Sequence, residues 1–142
     1  MGPRFFLLAV VSFMLSGCST SRKPAAPDAN AILITVDTLR SDHLECYGYR
    51  GVRTPAINLL AVDGVRFEQD ISQAPLTLPS HCSILTGMWP RSTGVRDQAG
   101  FTLSPDRPRL AAVLKMAGFQ TAAFAGSSIL NAETGLGQGF DA

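Results

Sequence analysis

Charge of one sign is scarce along this chain: the formal net charge is +1 over 142 residues, with no basic stripe. Nucleic acid therefore has no electrostatic footprint to meet. Cysteine is sparse as well, at three residues. Cys46 and Cys82 have no close His or Cys companion, which makes a poor zinc signature. They read as small buried hydrophobes, and a disulfide between them stays open. The chain lacks internal repeats and low-complexity segments, so solenoids and arrays are excluded. It also lacks a long apolar run. The run from Phe5 to Leu15 is too short for a bilayer-spanning helix.

That short run is informative for another reason. It follows Arg4 and ends in Ser16-Gly17 before Cys18, the outline of a signal peptide over residues 1–17. Residues 18–30 are small, polar and proline-bearing, and read as a tether with nothing to bury. The folded part is expected over residues 31–142.

Ala31-Ile-Leu-Ile-Thr-Val36 is apolar and β-branched, as for a parallel strand buried on both faces, and it places Asp37 at its carboxyl end. Thr54-Pro55 opens a predicted helix through Asp63, stopped by Gly64. Val65 to Ile71 is the next predicted strand. A second helix is predicted from Pro79 through Gly87, with Thr77 or Leu78 just outside it. A loop spans Met88 to Pro108, and Leu110, Val113, Leu114 and Ala117 recur at helical spacing before Gly118. Phe119 to Ala125 is a third strand. This alternation predicts an α/β fold with a mostly parallel sheet flanked by helices, in which ligands collect beyond the carboxyl ends of the strands. The last residues, Gly139-Phe-Asp-Ala142, bring no closing helix, and a doubly wound domain needs more strands than these. A truncated domain is therefore expected.

Two stretches can carry chemistry. Asp37, at a strand's carboxyl end, suits a divalent cation with oxygen ligands; equally, its side chain can cap the following turn, a role that also suits Asp42 and His43. In Thr77-Leu-Pro-Ser-His81 a hydroxyl lies near a helix N-terminus, where free N–H groups favour developing negative charge. Thr77 there is either a nucleophile activated by a metal or, like Ser80, an ordinary N-cap.

The ordered blocks Ile34 through Leu44, Tyr47-Gly-Tyr49, Thr54-Pro55, Gly64 through Phe67, Pro75 through Gly87, Gly94-Val-Arg96, Leu110 through Leu114, Gly118-Phe119 and Gly139-Phe-Asp141 resemble the sulfatase family of the alkaline phosphatase superfamily. Leu15-Ser-Gly-Cys18 resembles a bacterial lipobox. The second resemblance implies a lipidated Cys18, anchorage in a membrane of the cell envelope on the periplasmic side, and, through Ser19, possible sorting to an outer membrane.

The sulfatase resemblance implies an alkaline phosphatase-like fold, a sulfate or phosphate ester as substrate and a divalent metal ion held by Asp37. Calcium is the metal of sulfatases; a Thr nucleophile points toward zinc or manganese. Many sulfatases carry a second Asp after the first, where this chain has Thr38. At the nucleophile position stands Thr77, in place of the Cys or Ser that sulfatases oxidise to formylglycine, and His81 replaces the Arg of that motif. Thr cannot undergo that oxidation. The resemblance therefore implies direct attack by Thr77, as in the phosphoethanolamine-type transferases, with Thr77 also binding the metal and His81 orienting the ester or donating a hydrogen bond. The alternatives on the same fold are a phosphoethanolamine-type transferase and a non-catalytic binding module. The remaining metal ligands are expected from a C-terminal part, and no appreciable activity is expected from these residues alone.

Overall fold

The computed structural model describes residues 29–142. Cys18, residues 1–17 and all of the tether except Ala29 and Asn30 lie outside the described residues.

Proline and glycine punctuation sets the helices. Helix α1 spans Pro55–Asp63, with Pro55 in its first turn and Gly64 as its C-cap. Its start is tied down by Glu45, whose carboxylate accepts from the backbone N–H of Thr54 and from Asn58 Nδ2 at 2.8 Å. Helix α2 spans Thr77–Thr86 and ends on left-handed Gly87, whose N–H returns to Ser83 O at 2.8 Å. A single turn, α3, follows over Pro90–Thr93, and α4 covers Leu110–Met116. Short 3₁₀ turns occupy Ser41–His43, Glu45–Tyr47, Ser128–Leu130 and Ala132–Thr134.

The core gathers on one face of α2. Leu78 and Cys82 lie one turn apart and are buried with Val95, Leu103 and Leu136, while Leu85, Ile129 and Leu130 pack at the edge. The spacing 78, 82, 85 is that of a single apolar stripe. Residues 77 and 81 share a different face of the helix.

Behind the core lies Arg109, only 4 % exposed. Its guanidinium donates to the carbonyls of Gly135 (2.9 Å), Arg107 (2.7 Å), Leu103 (3.2 Å) and Ser104 (3.2 Å), cross-linking the 103–107 loop to the 135 turn. Gly135 allows this closeness, and Gly139 a similar approach to α4. A Cβ on Gly135 would meet Leu103 O at 2.4 Å, and one on Gly139 would meet Ala112 N at 2.6 Å; both have positive φ, which glycine adopts freely.

The sheet expected from the alternating pattern does not form among the described residues. Segments 31–36, 65–71 and 119–125 have no strand assignment. A strand satisfies its N–H and C=O groups only through a neighbour, and no described segment offers 31–36 a backbone ladder. Its side chains stay exposed, Ile32 at 84 % and Ile34 at 74 %. One parallel contact does exist. Thr121 O accepts from Ala142 N at 3.4 Å and Ala123 N donates to Ala142 O at 2.9 Å, the two bonds to one residue that mark a parallel pair. Asp141 reinforces it, accepting from Thr121 N (3.0 Å) and Thr121 Oγ1 (3.1 Å) and pairing with Lys115. No helix among the described residues is long and apolar enough to cross a membrane.

Candidate active site

Helix α2 begins two residues earlier than Pro79 suggests, and this decides where its hydroxyls point. Leu76 is the N-cap, with extended backbone and no side-chain cap. Pro79 then occupies the third helical position, where a missing N–H costs nothing, because the first turn has no intrahelical partners for its N–H groups. Thr77 is thus the first helical residue, not a cap. Ser80 is not one either; its Oγ lies 3.0 Å from Ser72 Oγ.

Freed from capping, the Thr77 hydroxyl reaches across 40 residues of sequence and donates to Asp37 Oδ2 at 2.9 Å. Asp37 sits in the turn that follows the 31–36 segment. Its neighbour Thr38 takes a left-handed φ of 57°, unusual for a β-branched residue. The next residues are self-contained: Arg40 pairs with Asp42 at 2.6 Å, and His43 stacks on Tyr49 with ring centroids 4.8 Å apart. Asp42 and His43 therefore serve the turn, as their local sequence suggests.

His81 lies one turn beyond Thr77 on the same face of α2. Its Nδ1 is 2.8 Å from Thr77 O, and its Nε2 is 3.1 Å from Thr35 Oγ1. Both ring nitrogens are engaged, neither with the Thr77 hydroxyl. The three residues singled out from sequence, Asp37, Thr77 and His81, are thus brought together where the 35–37 segment meets the start of α2. Thr35 joins them. Sequence reading passed over Thr35 because it sits inside an apolar run; its only signal was a hydroxyl two residues before a candidate metal ligand.

The donor set is chemically specific. Asp37 and Thr77 offer oxygen alone, which suits a hard cation such as calcium, although such an ion takes six to eight oxygens. The two residues fit as part of its shell. No three His, Cys, Asp or Glu side chains converge among the described residues. Among the described residues the nearby sulfur and imidazole groups are engaged elsewhere: Cys82 is buried in the core, its thiol pushed up to about 11 by burial, and His81 is turned to its two oxygen partners. An open groove of about 310 Å³, lined by Gln73, Ser83, Gly87, Met88 and Trp89, runs along the C-terminal half of α2 and includes none of the clustered residues.

Comparison with known proteins extends this picture. The family model described as Sulfatase matches residues 29–142. Among similar proteins, N-acetylglucosamine-6-O-sulfatase of Bacteroides thetaiotaomicron is 30 % identical over 120 residues, covering 84 % of this chain and 21 % of that protein. Steryl-sulfatase of Mus musculus is 36 % identical over 135 residues, covering 84 % of this chain and 22 % of that protein. Iduronate 2-sulfatase of Mus musculus is 40 % identical over 93 residues, 65 % of this chain and 17 % of that protein. The chain spans about a fifth of the length of the first two relatives. No solved structure matches it significantly.

Proposed function

This chain belongs to the sulfatase family, and from that membership we propose that the protein hydrolyses sulfuric or phosphoric esters, with Thr77 as nucleophile and Asp37 beside it holding a divalent metal ion. The family carries an alkaline phosphatase-like α/β fold. The observation that carries the proposal is the 2.9 Å hydrogen bond from Thr77 Oγ1 to Asp37 Oδ2 at the first residue of a helix.

Each part of that arrangement has a chemical use. A threonine hydroxyl is a weak nucleophile until a base or a metal draws off its proton. Asp37 is within reach to accept it. The start of α2 adds the positive end of the helix dipole, which stabilises negative charge gathering on the transferred group. A metal ion bound at Asp37 and Thr77 would supply Lewis-acid polarisation of the ester and stabilise the alkoxide. In the reaction the Thr77 proton passes to Asp37 as Oγ forms a bond to sulfur or phosphorus, the ester oxygen departs and takes a proton from solvent, Asp37 returns its proton to solvent, and water later releases the acid and restores the hydroxyl. Calcium agrees with the all-oxygen pair. Because Thr lacks the chemistry to become formylglycine, the proposed route uses the unmodified side chain. We also propose that the protein is exported and anchored by lipid at Cys18 in the cell envelope, which radiolabelled palmitate incorporation lost in Cys18→Ser checks.

The test is metal-dependent hydrolysis of an aryl sulfate, a phosphate monoester and a phosphate diester by the native protein and Thr77→Ala. Cleavage that disappears in the variant supports the nucleophile, and the ester cleaved fixes the substrate class. Undiminished cleavage by Thr77→Ala removes Thr77 from the role. Failure to cleave any ester while metal is bound favours the non-catalytic module.

A further inference from the structure

Thr35 and His81 form a bridge whose chemistry is more constrained than it first looks. A peptide carbonyl can only accept a hydrogen bond. The His81 Nδ1 facing Thr77 O at 2.8 Å must therefore carry a proton. In a neutral imidazole the other nitrogen is then a lone-pair acceptor. Thr35 Oγ1, 3.1 Å from Nε2, is a hydroxyl able to donate to it. In the neutral ring the bridge has one direction: Thr35 O–H to Nε2, and Nδ1–H to Thr77 O.

Its two ends matter. Thr35 lies two residues before Asp37, and the carbonyl belongs to Thr77 itself. The same two pieces of chain are joined once through side chains, Thr77 Oγ1 to Asp37, and once through this bridge, Thr77 O to His81 to Thr35. Two bonds between the same partners fix both separation and rotation, which one bond alone leaves free. Asp37 and Thr35 are otherwise exposed on a segment with no backbone ladder, so little else sets its register against α2.

We infer that Thr35 is a positioning residue, acting through His81 to hold the Thr77 hydroxyl in line with Asp37. The inference rests on Thr77 being the nucleophile. His81 in this role touches neither substrate nor the attacking oxygen.

Two measurements on the full-length protein test it. ¹⁵N labelling of the imidazoles and comparison with His81→Gln identifies the ring signals that belong to His81. The expected spectrum has Nδ1 of His81 protonated and Nε2 unprotonated but hydrogen-bonded, and Thr35→Val, which keeps shape and loses the hydroxyl, moves the Nε2 signal downfield. In the ester assay Thr35→Val lowers kcat by roughly tenfold, the worth of one hydrogen bond, with KM little changed, and Thr35→Ser restores the rate. A protonated Nε2 with bare Nδ1 overturns the inference, as does a Thr35→Val enzyme with native kcat while Thr77→Ala is dead; in that case the nucleophile stands and the bridge does not. If Thr77→Ala keeps full turnover, the nucleophile falls and the positioning role falls with it, whatever the tautomer.

Discussion

Replacing Arg109 with methionine removes the polar centre of the wall behind α2 while keeping most of its apolar stem. The guanidinium donates to four carbonyls at 3.2 Å or less, from Leu103, Ser104, Arg107 and Gly135. Hydrogen bonds to a charged group contribute roughly 1.5–3 kcal/mol each, which summed naively over four would exceed the whole stability of many domains. Two effects reduce the total. Burial disfavours the charged guanidinium and lowers its pKa, so desolvation offsets part of the gain. Carbonyls of the 103–107 loop can also turn to water once released. A loss of about 4 kcal/mol remains, against a typical total of about 5–15 kcal/mol. Urea unfolding of the full-length protein reads it as a lower midpoint with an unchanged slope. Arg109→Lys should recover only part, since an ammonium is a compact donor that cannot span the same fork of acceptors. An Arg109→Met protein within about 1 kcal/mol of native would refute the reasoning, because it would mean that the four carbonyls gain nothing from the guanidinium over solvent.

Other perturbations read other parts of the fold. Asp141 is held down to about 2 by its hydrogen bonds with Lys115 and Thr121, below its ordinary 3.8, so the parallel contact it braces is in place above that ordinary value and is lost as pH falls through about 2; amide exchange at Thr121 should accelerate over this window in the native protein and show no such acid limb in Asp141→Asn. Thr38→Asp puts a second carboxylate beside Asp37 at a left-handed position that Asp tolerates better than Thr, and calorimetry should show divalent-cation binding tightened on the order of tenfold without loss of stability; unchanged affinity would count against a metal at Asp37. Buried Cys82, with its thiol pushed up to about 11, should resist iodoacetamide at mildly alkaline pH in the native state while half-buried Cys46 reacts, and both should react once urea unfolds the chain.

Helix boundaries were legible where the chain itself supplies the stop. Thr54-Pro55 and Gly64 bracket α1, and Gly87 ends α2, because proline and glycine act on backbone geometry without any partner. The start of α2 was misplaced by two residues, since Pro79 is acceptable at any first-turn position and only the docking of Thr77 onto Asp37 selects among them. Turn α3 lay inside a predicted loop, too short to show a period. The sheet is the larger difference. Apolar β-branched runs report a preference for burial, but a ladder needs a second segment alongside, and that depends on tertiary context no local pattern contains. In the site, Asp37, Thr77 and His81 could be singled out because their residue types stand out at a strand end and a helix start. Thr35 and Arg109 could not. The former is masked by its apolar neighbours, and the latter gives no sign, in a run of prolines and arginines, that it alone turns inward.

The span between Thr77 and Asp37 has a consequence for when the site comes into being. Closing a loop of 40 residues costs about 3 kcal/mol of chain entropy before any contact returns it. Helices α1 and α2 can start from local signals, but the pairing of hydroxyl and carboxylate waits for the segment around Asp37 to find α2 across that loop. A partly folded chain can therefore be rich in helix and still possess no reactive threonine. Appearance of a Thr77-dependent signal during refolding should lag behind helix formation, and the delay measures the arrival of the segment around Asp37 rather than the maturation of the helix that bears the nucleophile.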